Sequence, residues 1–263
     1  MLLDNKVAVV TGGARGLGYA IAETLATHGA RVVIADVIDD VGEQAQSTLQ
    51  AQGHDCRFVH CDVTQRDDVE HLMNWTHQNF GRIDSVVANA GIAGRFTNAL
   101  ELAEDEFDAV MAVNLKGVYL TGQCAARIML KQEPDQQGSR GTIVNISSIT
   151  AKLSHPSMAA YIMSKGGVNT WTRNLALTVA DQGIRVNGIG PGTFESDLNT
   201  QMKDPEVKRS ILSRTPMGRA GKPDEVGKVA AFLSSDLSSY LTGQIIYLDG
   251  GRTALNFTMP VHE

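Results

Sequence analysis

The stretch KVAVVTGGARGLG, Lys6 to Gly18, carries an apolar, β-rich run straight into a glycine-rich turn. Leu17, Ile21 and Leu25 then recur at helical spacing up to His28, so strand, tight turn and helix follow one another. Working outward, the alternation repeats. Further strands are expected at 31–36, 57–60, 85–89, 142–146, 185–189 and 244–248. Helical patterns separate them, running to about 52 after the second strand, then over 65–80, 103–113, 115–131, 161–182, 205–213 and 223–233. No repeat of 20–50 residues appears, and the polar run KQEPDQQGSRG, 131–141, reads as a surface loop. Strands that alternate with crossover helices build a parallel sheet covered on both faces. Such a sheet binds ligands beyond the carboxyl ends of its strands, so the residues that close each strand are where chemistry belongs.

Composition narrows the classes of function. With 23 Lys and Arg against 29 Asp and Glu, the 263-residue chain carries a net charge of −6, the wrong sign for a polyanion-binding surface. No run approaches the 18 apolar residues of a membrane span, and the N-terminus lacks the pattern of a secretory signal. Cys56, Cys61 and Cys124 make no disulfide framework. The expectation is a soluble, cytoplasmic protein that binds neither nucleic acid nor membrane.

The first strand end offers Gly12, Arg15, Gly16, Leu17 and Gly18 in a G-x-x-x-G-x-G spacing. Glycine lets the backbone turn tightly against a pyrophosphate, and the helix that follows presents free N–H groups and the positive end of its dipole. A plain strand-to-helix turn is the alternative. Asp36 closes the second strand eighteen residues after Gly18, where a carboxylate accepts hydrogen bonds from ribose hydroxyls and repels a 2′-phosphate; Val37 follows it. Arg15 argues the other way, since a cation there meets a 2′-phosphate. No basic residue follows Asp36 before Arg57, so NAD is expected over NADP. Asp62 and Val63 close the third strand as a carboxylate and an apolar wall for an adenine. Asn89, Ala90 and Gly91 close the fourth with small residues that let the chain run beneath a cofactor.

Tyr161 and Lys165 lie four apart on a helix and share a face. Chance also produces such pairs, but Ser148 stands thirteen residues earlier, just past the strand at 142–146. A phenol of ordinary pKa near 10 is a poor base at neutral pH; a neighbouring ammonium stabilises its phenolate, and a serine hydroxyl holds a carbonyl or alkoxide oxygen in line with it.

TGGARGLG, Asp36, the NAG at Asn89–Gly91, Ser148, Tyr161-x-x-x-Lys165 and the PG at Pro191-Gly192 together resemble the short-chain dehydrogenase/reductase family, with likeness running to the DGG at 249–251. The resemblance implies an α/β chain with a single Rossmann-type domain over 1–251, a seven-stranded parallel sheet and helices on both faces. It implies Tyr161 as general acid/base, Lys165 lowering its pKa and binding the nicotinamide ribose, and Ser148 positioning the substrate oxygen. Asn114, in VNLKG, corresponds to the asparagine that holds a water of the proton relay. Pro191, Gly192 and Thr193 correspond to the segment beside the nicotinamide amide. Hydride then passes between the substrate carbon and the nicotinamide while Tyr161 handles the hydroxyl proton. The chain departs from the family's Pro-Gly-x-x-x-Thr by placing Ser196 where threonine is usual.

A substrate lid is expected at about 193–218. Its Glu195, Asp197, Lys203 and Asp204, with Phe194 as its one aromatic residue, favour a sugar, polyol or small hydroxy compound over a steroid. His155, between Ser148 and Tyr161, is a candidate substrate contact. An acyl-thioester (3-oxoacyl-carrier) reductase is the competing enzyme, and an NAD-sensing or scaffold protein the competing class. His54, Cys56, His60 and Cys61 include metal-ligand types but match no zinc spacing, so no metal is expected. Trp75 and Trp171 read as packing residues. The family forms homodimers or homotetramers through helices corresponding to 115–131 and 161–182 and through the last strand. Leu255, Phe257 and Met259 in the tail at 252–263 suggest docking at such a subunit interface.

Overall fold

Seven strands hydrogen-bond in the order β3-β2-β1-β4-β5-β6-β7, every neighbouring pair parallel, in a computed structural model that describes residues 1–195 and 204–261. They are β1 Val7–Thr11, β2 Arg31–Asp36, β3 Cys56–His60, β4 Ser85–Ala88, β5 Gly141–Ile146, β6 Ile184–Pro191 and β7 Ile245–Leu248. Each lies within a residue or two of its expected place, as strong apolar runs between turn residues allow.

The period-two alternation of the strands divides the core. Val10, Val32, Ile34, Val87, Val144 and Ile189 point to one face, where α1 (Gly16–Thr27), α2 (Asp39–Ala51) and α8 (Pro223–Ser234) cover them. Val9, Val33, Val86, Ile143 and Val186 point to the other, under α3 (Arg66–Phe80), α5 (Val118–Met129) and α6 (Ala159–Val179). Trp75 and Trp171 pack against this second layer.

The chain reverses its winding at β1, which has β2 on one side and β4 on the other. That switch point opens a crevice at the carboxyl ends of both halves. The helices expected at 103–113 and 115–131 are one continuous run. α4 (Glu104–Met111) passes through a π-helical stretch, Ala112–Gly117, directly into α5, because nothing in AVNLKG breaks a helix. α7 (Pro205–Leu212) begins on an Asp204 cap whose carboxylate accepts the Glu206 and Val207 N–H groups. Residues 196–203 of the expected lid, with Ser196, Asp197 and Lys203, lie outside the described residues. The tail docks on its own chain: the Met259 N–H donates to the Ser213 carbonyl at 2.6 Å, while Phe257 stays 70% exposed.

Candidate active site

The glycine-rich turn is built to sit hard against the end of β4. Gly12 has φ +61°, and a Cβ there would lie 2.8 Å from the Ala90 Cα; one on Gly18 would collide with the Gly12 carbonyl. Thr11 Oγ1 accepts the N–H groups of Asn89 and Ala90 at 3.1 and 3.3 Å, while Asn89 Nδ2 donates to the carbonyls of Thr11 and Gly12 at 3.0 Å each. Asn89 therefore stitches two loops together, a duty its sequence context did not announce. Thr11 shares that duty and went unnoticed because a strand-end threonine carries no signal of its own.

The N-terminus of α1 is electrostatically bare. Arg15 occupies the cap position without a capping side-chain bond, and the first turn holds no acid, whereas α2, α3, α4, α7 and α8 each carry at least one. Uncapped N–H groups at an unneutralised positive dipole end make an anion-binding cradle. Arg15 is exposed beside it.

Asp36 closes β2 as expected, yet its carboxylate is already engaged. Oδ2 accepts the Ala14 N–H at 3.3 Å, and Oδ1 accepts those of Val37 and Ile38 at 2.9 and 3.3 Å. The charge is thus fixed at the crevice edge and also shapes the turn. Val37 is 52% exposed and offers the apolar surface there. Val63 does not: its side chain is buried against Gly117, where a Cβ would come within 2.7 Å of it. Asp62 keeps Oδ1 on the Thr64 N–H at 2.9 Å.

Asn114, Ser148, Tyr161 and Lys165 converge from three elements. Asn114 is completely buried in the π-helical stretch. Its amide clamps Ile92, donating to the carbonyl and accepting the N–H at 2.8 Å each, and reaches Ser164 Oγ at 3.3 Å. Ser164 in turn donates to the Tyr161 carbonyl at 2.7 Å. Ser164 was missed, although its place three residues after Tyr161 on the same helical face was a usable signal. Ser148 caps the short turn after β5 by accepting the Thr150 N–H at 3.1 Å, and it hydrogen-bonds the Tyr161 hydroxyl. Lys165 is buried; its Nζ donates to the Ile146 carbonyl at 2.9 Å and lies 5.6 Å from the Tyr161 ring centre. A Cβ on Gly91 would stand 3.3 Å from Asn114 Oδ1 and 3.7 Å from Lys165 Nζ, so the end of β4 closes over the cluster.

Burial is the largest influence on both titratable groups of the site. Burial pushes the Tyr161 hydroxyl above its usual 10, and the Ser148 hydrogen bond is what draws it back. Burial also lowers Lys165 from 10.5 to about 8. Lys165 Nζ rests on a backbone carbonyl on the same side of the site as the phenol ring.

Pro191 ends β6, and the Gly192 N–H donates to the Leu248 carbonyl at 2.7 Å, where a Cβ would lie 2.9 Å from the Asp249 Cα. Thr193 accepts the Gly221 N–H at 3.0 Å through its carbonyl. His155 is exposed, with its ring edge-on to Phe96 at 6.3 Å. His60 pairs with Asp39 at 2.7 Å, and burial pushes the Cys56 and Cys61 thiols up to about 12. Among the described residues no group of three or more His, Cys, Asp or Glu could hold a metal ion, and no helix is long and apolar enough to cross a membrane.

A family model described as Enoyl-(Acyl carrier protein) reductase matches residues 12–253. The cis-4-hydroxycyclohexanecarboxylate dehydrogenase of Sinomonas cyclohexanicum is 39% identical, over 95% of this chain and 98% of the relative. The 3-oxoacyl-[acyl-carrier-protein] reductase of Thermotoga maritima is 38% identical, over 95% and 99%. The crystal structure of a putative gluconate dehydrogenase from Agrobacterium tumefaciens superposes with a TM-score of 0.90 at 37% identity, covering 96% of this chain and 98% of that one. With its parallel sheet and its glycine-rich crevice, this chain is an oxidoreductase of the short-chain dehydrogenase/reductase family.

Proposed function

We propose that the protein is an NAD(H)-dependent oxidoreductase that interconverts a secondary alcohol and its ketone, with Tyr161 as general acid/base. The observation that carries this reading is the Ser148–Tyr161 hydroxyl pair set beside Lys165 and Asn114 at one end of the crevice. The crevice suits a nicotinamide dinucleotide: the bare α1 N-terminus takes the pyrophosphate, Asp36 the ribose hydroxyls, Val37 and Asp62 the adenine side. Ala90, Gly91, Lys165 and Pro191–Thr193 frame the nicotinamide end.

When bound, the dinucleotide supplies the hydride acceptor or donor. Ser148 holds the substrate oxygen, and Tyr161 takes its proton on oxidation or returns it on reduction. Asn114 fixes Ile92 to Ser164, which holds the end of β4 at its distance from α6. A small hydroxy compound is the substrate class we favour, since the described lid residues Glu195 and Asp204 are polar. The exposed Arg15 favours the second reading, a 3-oxoacyl-thioester reductase that prefers NADPH, because a 2′-phosphate needs such a cation.

Nicotinamide absorbance followed over alcohols, sugars and polyols with NAD, and over ketones and a 3-oxoacyl thioester with NADH and NADPH, separates the two. NAD-linked oxidation is expected, lost at least about a thousandfold in Tyr161→Phe while NADH affinity is kept. Turnover retained in Tyr161→Phe defeats the mechanism; turnover confined to the thioester with NADPH promotes the second reading.

A further inference from the structure

Two loops meet next to Tyr161, one following Gly91 and one joining Ser148 to α6. They are tied to each other: the Thr97 N–H donates to the Ser157 carbonyl at 3.2 Å, and the Phe96 and His155 rings meet edge to face at 6.3 Å. Arg95, Thr97, Glu106, Ser157 and Tyr161 line one small cavity between them.

Arg95 is set there by its backbone. Gly94 takes φ +70°, where a Cβ would lie 2.8 Å from Val110 Cγ2, so only glycine makes this bend against α4. The Glu106 carboxylate then accepts the Arg95 N–H and anchors the loop to the first turn of that helix. Among the described residues the Arg95 guanidinium has no ion pair; Glu106, the one acid in the cavity lining, has one carboxylate oxygen on the backbone N–H of Arg95 and makes no ion pair with its guanidinium. His155 adds a second donor on the same side. Its Nδ1 accepts the Ser157 N–H at 3.2 Å, so the neutral ring carries its proton on Nε2, the outward nitrogen.

We infer that the substrate carries a carboxylate, which the Arg95 guanidinium holds at the mouth of the cavity that Arg95 shares with Tyr161. This rests on the alcohol dehydrogenase reading and adds the feature by which substrates are told apart. A planar guanidinium with two free parallel N–H donors matches a carboxylate edge to edge, and the preference is for a compact monoanion rather than a neutral polyol. Arg95 is a specificity-determining residue: it grips the far end of the substrate and so fixes which carbinol carbon stands beside Tyr161.

The test is the ratio of acid to amide. Propanoate, hexanoate and cyclohexanecarboxylate are titrated calorimetrically against the protein, each beside its amide, with and without saturating NADH. 4-Hydroxycyclohexanecarboxylate and 3-hydroxybutyrate are compared with their amides in NAD-linked turnover. The acids are expected to be favoured about ten- to a hundredfold, the worth of one charge-assisted pair. Arg95→Gln should bring that ratio near one, and Arg95→Lys should restore part of it. A merely structural role would weaken acid and amide together and keep the ratio, which overturns the inference, as does wild-type protein with no preference for the acids. An acid preference in binding that Arg95→Gln abolishes, without oxidation of any alcohol tried, upholds the carboxylate site and defeats the dehydrogenase reading instead.

Discussion

At the scale of single residues, the buried ammonium of Lys165 sets function against stability. It has one acceptor, the Ile146 carbonyl, in a place that lowers its pKa from 10.5 to about 8. Between about pH 8 and 10.5 the unfolded chain keeps this proton and the folded chain does not, so stability from this group rises with pH across that window and is at its lowest below pH 8. Lys165→Met removes the burden. Near pH 7 it should stabilise the fold by on the order of 2 kcal/mol, after allowing for the carbonyl left without its donor, while turnover disappears. Denaturant midpoints of both proteins at pH 7 and pH 10 check this, and a gap that does not narrow toward pH 10 would refute it. The Tyr-x-x-x-Lys spacing and the distant Ser148 were legible in sequence. Their charge balance was not, because it depends on how deeply the fold buries them.

At the scale of elements, α1 and the α4–α5 run carry the site. The first turn of α1 lacks an acid where most of its neighbours have one, which leaves its dipole free for an anion. Leu17→Glu should therefore weaken NADH about tenfold or more by repelling the pyrophosphate. Its melting temperature should fall only modestly, because Leu17 is a partly buried residue packed against the core while an acid suits a helix N-terminus. Fluorescence titration together with a melting curve distinguishes this from general damage; a lower melting temperature with unchanged NADH affinity would contradict it. The π-helical stretch around Asn114 was invisible in sequence. Its widened turn satisfies a contact with Ile92 and Ser164, far along the chain, and local propensity holds no record of such a partner.

At the scale of the whole molecule, the expected homo-oligomer has two unfilled surfaces to use. Met111, Ala112, Leu115, Tyr119 and Trp171 line an open apolar groove across α4, α5 and α6, and the indole N–H of Trp171 is buried without a partner. β7, at the sheet edge, is only half buried along its length. Trp171→Glu is expected to convert a dimer or tetramer to smaller species in light scattering; an unchanged mass would move the interface elsewhere, and a monomeric wild type would remove it. The Rossmann-type layering and the glycines of the turn were readable from the sequence, because period-two and period-3.6 patterns and backbone sterics are local properties of the chain, whereas the strand order's reversal at β1 came only with the fold. What only the tertiary structure decided was which of those residues meet. Val63 turns inward onto Gly117, Asn89 becomes a stitch for Thr11, and Gly94 bends its loop against Val110 where Arg95 and Tyr161 line one small cavity. Each of these depends on packing between segments distant in the chain, whose contact energies no local pattern encodes.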